Sequence, residues 1–241
     1  MENEQQSLLF TNKGPLTTNS LKEQAYKLIK DAIVYRRLKL NVVYSQDDLC
    51  SELGISRTPV REALIELVSD GLVTFVRRRG FKVVELTRKE ALDIIEMRSD
   101  IEKFGAELAA QRITDGQLKR LEDKYNEMLN AADSGDAMLL YRLDYEFHLI
   151  IFEATGNNWL LDAIKKLRDN FLRIETQSAF SKKADAKAVF GEHYKILKAL
   201  KKRNPQLARA AMQNHLEHTT HRTTANFLIK EQTDDSKEKI G

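Results

Sequence analysis

Beyond Thr87 the chain offers no strand signal, and apolar residues recur at three- and four-residue intervals almost to its end. So long a run with a single period can bury its apolar stripes only by packing helix against helix. Thr87 and Glu90 form a capping box ahead of a long helix whose stripe Ile94, Met97, Ile101, Phe104 and Leu108 is expected to face the core. Further helices are expected at about 115–133, 136–154, 158–178, 185–202 and 205–229, the last opened by Asn204 as cap and Pro205 at the first helical position. An antiparallel bundle of about six helices over 87–230 follows, with 231–241 as a frayed tail.

The residues before Thr87 have another texture. Asn, Gln, Thr and Ser dominate 1–19, which reads as a flexible arm. Ser20 and Glu23 then open a helix with apolar residues at Leu21, Ala25, Leu28, Ile29 and Ile33. A short helix from about Gln46 to Leu53 stops at Gly54, and Ser56 is placed to cap a third, in which Val60, Leu64, Leu67 and Val68 are expected to face a core. Pro59 is tolerated in that helix's first turn, where amides lack intrahelical partners. After Gly71, two β-branched and aromatic runs flank an Arg-Arg-Gly turn in LVTFVRRRGFKVVEL, the pattern of a hairpin. Three helices and a hairpin make residues 20–86 a winged helix-turn-helix, and the chain as a whole mainly α.

Composition narrows the function classes. With 31% charged and 42% hydrophobic residues and only 10 glycines and 3 prolines, the chain is globular and helix-rich, neither disordered nor fibrous. A formal net charge of +3 means that an anionic partner must be met by a local patch. Residues 20–85 hold twelve Lys and Arg against nine Asp and Glu, so the modest excess lies in the first third. One cysteine, Cys50, precludes an intramolecular disulfide; no signal-like start and no run of 18 apolar residues occur. The expectation is a cytoplasmic protein with no membrane partner.

The third helix concentrates cations at its start. A recognition helix reads the major groove with its N-terminal residues, where Arg reaches guanine O6 and N7 with two bonds and Ser or Thr serves base or phosphate. Arg57, Thr58 and Arg61 have those places, and Arg77, Arg78 and Arg79 beside Gly80 are candidates for an adjacent minor groove. The stretch LGISRTPVREALIELVSDGLV, followed by RRRGFKVVEL, closely resembles the signature of the GntR family of bacterial transcription regulators. That resemblance implies DNA contacts from Ser56, Arg57, Thr58 and Arg61, a helix start shaped by Pro59, and a wing contributing Arg79 and Gly80, to which the basic tip itself adds Arg78 as a candidate. Two departures stand out: YRRLKLNVVYSQDDL lacks the glycines many relatives carry there, leaving Asn41 to take the left-handed turn. Asp47 also occupies a place where some relatives have a phosphate-binding arginine.

All five histidines lie in the bundle. Asp144 and His148, four apart, share a helix face from which a carboxylate and an imidazole can hold one ion, and His193 and His215 lie on two later helices. A histidine taken singly is ordinarily a core or surface residue. However, MRSDIEKFGAELAA, DYEFHLIIFEATGNNWLL and EHYKILKALKKRNPQLARAAMQNHL resemble the FCD effector domain of the FadR-type GntR branch. The resemblance implies metal ligation by Asp144, His148, His193 and His215, and makes Arg98 the pocket arginine for an effector. Arg173 is a second effector candidate. Nitrogen-rich ligation with one carboxylate favours zinc, then nickel or manganese.

The expected function is a homodimeric, non-enzymatic regulator on a palindromic double-stranded operator, a repressor released by a small carboxylate metabolite at the bundle metal. Two alternatives are a DNA-binding regulator with a purely structural metal and a helical metalloenzyme. Against the enzyme stand the lack of an H-E-x-x-H motif or an evident general base, and a DNA-reading domain it would leave unexplained.

Overall fold

The computed structural model describes residues 20–35, 37–132, 134, 136–174 and 183–238. The arm expected over 1–19, residues 175–178 of one expected helix and 239–241 of the expected tail lie outside them. Contacts divide the chain into two compact units, one ending at Val84 and the other resuming at Glu85.

In the first unit, helices α1 (Leu21–Val34), α2 (Gln46–Leu53) and α3 (Arg57–Ser69) precede strands β2 (Val73–Val76) and β3 (Gly80–Val83). The Ser20–Glu23 box closes reciprocally, at 3.0 and 3.2 Å. A two-residue strand, β1 (Val43–Tyr44), pairs with β3 and completes a sheet of order β1-β3-β2, a strand too short to announce itself by periodicity. Asn41 takes the left-handed turn ahead of it, at φ 60°. Ala25, Ile29 and Ile33 meet Val60, Ala63, Leu64 and Leu67 around Phe81, which is fully buried. Complete burial of one such side chain is worth roughly 1.5–3 kcal/mol. Val68, expected inside, is 37% exposed; the inward face of the helix is Val60, Ala63, Leu64 and Leu67.

The second unit is α4 (Arg88–Arg112), α5 (Asp115–Ala131), α6 (Ala137–Ala154), α7 (Asn158–Ile174), α8 (Lys183–Lys201) and α9 (Pro205–Glu238). α4 lies along α9 and α7, α5 along α6, and α8 along α9. Thr87 and Glu90 make the expected capping box, and Asn204 Oδ1 accepts from the Leu207 amide at 2.9 Å. The last helix runs to Glu238, beyond the stop expected at 229. The single tryptophan, Trp159, stands in the first turn of α7 and is 89% exposed.

One expectation fails on α4. Met97 and Phe104 are 56% and 48% exposed, and Ile94, Ile101 and Leu108 only partly covered. The face turned inward instead carries Ala91, Ile95, Arg98, Glu102, Gly105, Ala106 and Ala109. Small residues there let neighbouring helices approach closely: a Cβ on Gly105 would strike the ring of Phe152. Apolar size alone therefore pointed to the wrong side.

Candidate functional site

The first candidate surface is built by the α2–α3 turn. Leu49 and Val60 anchor the two helices, and Gly54 joins them in the left-handed conformation at φ 66°. Ser56 has the extended backbone of an N-cap, but its hydroxyl makes no cap bond, so the expected side-chain cap is absent. Arg57, Thr58 and Arg61 are exposed and Pro59 half-buried, while Val60, Ala63 and Leu64, on the same helix, are fully buried. Such a helix is fixed by its apolar side and offers its basic edge, with free first-turn amides, to an anion. Asp47 reaches across from α2: its carboxylate holds Arg57 at 2.8 and 2.9 Å.

The hairpin tip repeats the exposure. Arg77, Arg78 and Arg79 are all exposed, Arg78 turning left-handed at φ 59°, with the Arg79 amide donating to Val76 O at 3.0 Å. Gly80 sits at φ 125°, and a Cβ there would collide with the carbonyl of Tyr44 on β1. No other residue fits that position without moving the strand, so the tip is held by backbone and its arginine side chains are spared.

The second candidate is buried in the bundle. Asp144 and His148 of α6, His193 of α8 and His215 of α9 place one donor atom each within 4.8 Å of one another. His148, His193 and His215 are 0%, 0% and 2% exposed. Every imidazole is gripped from behind: His148 Nδ1 faces Glu102 Oε2 at 2.5 Å, His193 Nδ1 faces the Val189 carbonyl at 2.8 Å, and His215 Nδ1 faces Glu192 Oε2 at 2.9 Å. A carbonyl and a carboxylate can only accept, so the proton belongs on Nδ1 of His193 and of His215 and a lone pair is left on each Nε2; His148 Nδ1 also faces a carboxylate, but without hydrogen-bond geometry. Those lone pairs converge. His148 Nε2 and His193 Nε2 are 3.2 Å apart, and Asp144 Oδ1 lies 2.9 Å from the latter.

The surrounding charges hold that state. Burial, with the positive charge of Arg168 second, pushes the His148 imidazole down to about 3; burial and then His193 push His215 down to about 4. Both rings are neutral at physiological pH, as a metal ligand must be. Burial would raise the Asp144 carboxyl, but the Arg168 guanidinium beside it holds it well below the usual carboxylate range. Arg168 donates to Asp144 Oδ2 at 2.5 Å and to Glu102 Oε1 at 2.9 Å. Arg98 donates to the same Glu102 oxygen at 2.6 Å and stacks on Phe171 at 3.8 Å. Glu102, fully buried, stays ionised against the cost of burial because the guanidiniums of Arg98 and Arg168 lie against it. Arg173, 8% exposed in the last turn of α7, donates to Asn170 Oδ1 at 2.6 Å; Arg168, not Arg173, is the guanidinium bonded to a member of the cluster.

Glu102 was legible in the sequence only as a surface ion-pair partner for Arg98 one turn away, whereas the pair is buried; Arg168 and Glu192 were not singled out, although a signal existed. Arg168 and Glu192 are charges amid apolar neighbours at helical spacing, as Arg168 is between Ile164 and Phe171. Glu192 bonds His218 and Arg222 as well as His215, and its outer side lines an open pocket of about 460 Å³ with Lys187, Lys195, His218 and Arg222.

Three imidazole Nε2 atoms and an ionised carboxylate turned toward one point are a donor set for a cation placed among them. That chemistry fits a borderline divalent ion, with nitrogen donors supplying most of the ligation.

Comparison with known proteins reaches the same division of the chain. Residues 21–83 match the model of bacterial regulatory proteins of the gntR family, and residues 93–218 match that of the FCD domain. The HTH-type transcriptional regulator YdhC of Bacillus subtilis is 27% identical over 198 residues, covering 81% of this chain and 87% of its own. The HTH-type transcriptional repressor RspR of Escherichia coli is 26% identical over 200 residues, covering 83% and 87%. Among solved structures, McbR/YncC of E. coli superposes with a TM-score of 0.79 at 21% identity, over 87% of this chain and all of that one, which is a likeness of fold. Among the described residues no helix is long and apolar enough to cross a membrane. The chain belongs to the gntR family of bacterial regulatory proteins that carry an FCD domain, and it is a DNA-binding transcriptional regulator rather than an enzyme.

Proposed function

We propose that the protein is a cytoplasmic, homodimeric repressor whose hold on a palindromic operator is released when a small organic acid binds at a divalent metal in the bundle. The observation that carries this reading is the orientation of His148, His193 and His215, each Nδ1 occupied from outside and each Nε2 turned toward Asp144. Zinc is the first choice of ion, nickel or manganese the next, and when bound it would supply Lewis acidity to a ligand oxygen. Arg98 and Arg173 are the candidate partners of the effector's carboxylate; for Arg98 the acid must compete with Glu102. Ser56, Arg57, Thr58 and Arg61 read and anchor the major groove on the helix start that Pro59 shapes, and Arg78 and Arg79 at the Gly80 tip reach beside it.

The dimer reading rests on α4, where Met97 and Phe104 form an uncovered apolar stripe of the kind a second copy buries. The repressor sign follows RspR, which is named as one. A second reading has one observation in its favour: Arg98 is already satisfied by Glu102 and Phe171, as it would be if the ion only fastened α6, α8 and α9 together.

A thermal-shift screen separates these. Purified protein is assayed for bound metal, then melted with and without a chelator against a panel of small organic acids. An acid that raises the melting temperature of the metal-loaded protein, and fails to do so after chelation or in Asp144→Ala, supports metabolite sensing. If chelation lowers stability and no acid shifts it, the effector is struck out and the ion is structural.

A further inference from the structure

We propose that Asp47 is the residue that makes Arg57 a reader of guanine rather than a phosphate contact. The inference rests on α3 being the DNA-reading helix.

The two side chains meet edge to edge: Arg57 Nε lies 2.8 Å from Asp47 Oδ1, and Arg57 Nη2 donates to Asp47 Oδ2 at 2.9 Å. A guanidinium has five N–H donors in a rigid plane, and this contact uses the edge formed by Nε and the nearer hydrogen of Nη2. The outer edge, one hydrogen from Nη1 and one from Nη2, is left, and those two parallel donors match O6 and N7 of guanine. Asp47 is itself held in place. Its amide donates to Ser45 Oγ at 3.0 Å, its carbonyl accepts from Ser51 Oγ at 3.0 Å, and Leu49, two residues on, is buried. The clamp therefore stands on a fixed helix start.

Stability does not account for the pair. Its side chains are 77% and 60% exposed, and ion pairs in water contribute little to folding. What the pair changes is the behaviour of the arginine. A lone Arg at a helix N-terminus is flexible, singly charged and drawn to any phosphate, which adds affinity without sequence information. Paired with Asp47, it is close to neutral as a unit, its plane is set before DNA arrives, and a phosphate brought near would face the carboxylate. Asp47 is thus a positioning residue that lowers attraction to DNA in general and sharpens it at one base pair per half-site.

The test begins by selecting duplexes from a random library with the full-length protein. Affinities of the wild type, Asp47→Asn, Arg57→Ala and the double variant are then measured on the selected duplex, on each single-base change and on an unrelated duplex, across a salt series. The expected result is that Asp47→Asn tightens binding to the unrelated duplex and steepens its salt dependence by about 0.9 in log–log slope for each DNA-bound subunit. At one guanine its discrimination falls on the order of tenfold. Arg57→Ala removes preference at that same guanine, and the double variant loses no more. If Asp47→Asn leaves every base preference intact while Arg57→Ala abolishes one, the clamp is refuted and the reading helix stands. If Arg57→Ala alters no base preference, the reading helix and the clamp fail together. Melting curves report whether both variants stay folded, a readout that base discrimination does not share.

Discussion

In residues 38–84 the arginines Arg57, Arg61 and Arg77 to Arg79 stand in water, and the one carboxylate that engages Arg57 is also exposed. In residues 85–238 Arg98 and Arg168 are 4% and 2% exposed, and Glu102, which both of them bond, is completely enclosed. The same residue types meet opposite physics. Exposed ions cost almost nothing to keep and interact weakly until a partner excludes water. Enclosed ions are stable only as a complete set, so each is tied to the position of the others. A surface built the first way suits contact with a polyanion; a core built the second way suits registering the arrival or loss of a single charge.

That contrast breaks most visibly at Glu102. Glu102→Ala should strand Arg98 as a buried cation and leave Arg168 with Asp144 alone, destabilise the protein by about 3–5 kcal/mol and lower its melting temperature by on the order of 10 °C. An unchanged melting curve would mean that water or rearrangement relieves the enclosed charge.

Acid should act on the same region, and the sign can be worked out. His148 and His215 titrate near 3 and 4 in the folded protein against an ordinary value of 6.5, so below pH 6.5 the unfolded chain takes up protons that the folded one refuses. Asp144 and Glu102, with lowered values, reinforce the loss at more acid pH because protonating them removes pairing present only in the fold. Chelated protein should therefore lose stability as pH falls from 6.5 toward 4, by about 1.4 kcal/mol per pH unit for each histidine. Denaturant melts at constant ionic strength measure it; stability that rises over this interval would show that the histidines are charged in the fold.

Arg61→Ala sharpens the comparison from the other side. DNA affinity should fall on the order of tenfold and the salt slope shrink by about one unit for each subunit, while the melting temperature stays within about 2 °C. Gel shifts beside thermal melts would reveal any shared cost. Smallest of all, Lys201→Ala removes an ion pair with Glu122 whose side chains are 44% and 46% exposed, and should change stability by less than about 0.5 kcal/mol.

What could be read in the sequence was local. The boxes at Ser20 and Thr87, the Asn204–Pro205 start and the Gly54 stop depend on residues three or four apart, and each closes as expected. Asp144 and His148 share a face for the same reason. The outward turn of Met97 and Phe104 was not legible, because an apolar stripe marks a buried face without saying whose chain buries it. Nor were the bonds of Glu102 to Arg168 and of Glu192 to His215, which join different helices and form only on folding. The Asp47–Arg57 clamp is of this kind: ten residues separate its halves, and the turn at Gly54 brings them together.

Trp159 has a practical consequence. As the single indole of the chain, and already in water at the start of α7, it emits in the native protein much as it would in the unfolded one. Intrinsic fluorescence is therefore a poor witness of melting, yet a sensitive one of company: a shift of its emission to shorter wavelength at constant temperature would mean that something has come to lie against that corner of the molecule.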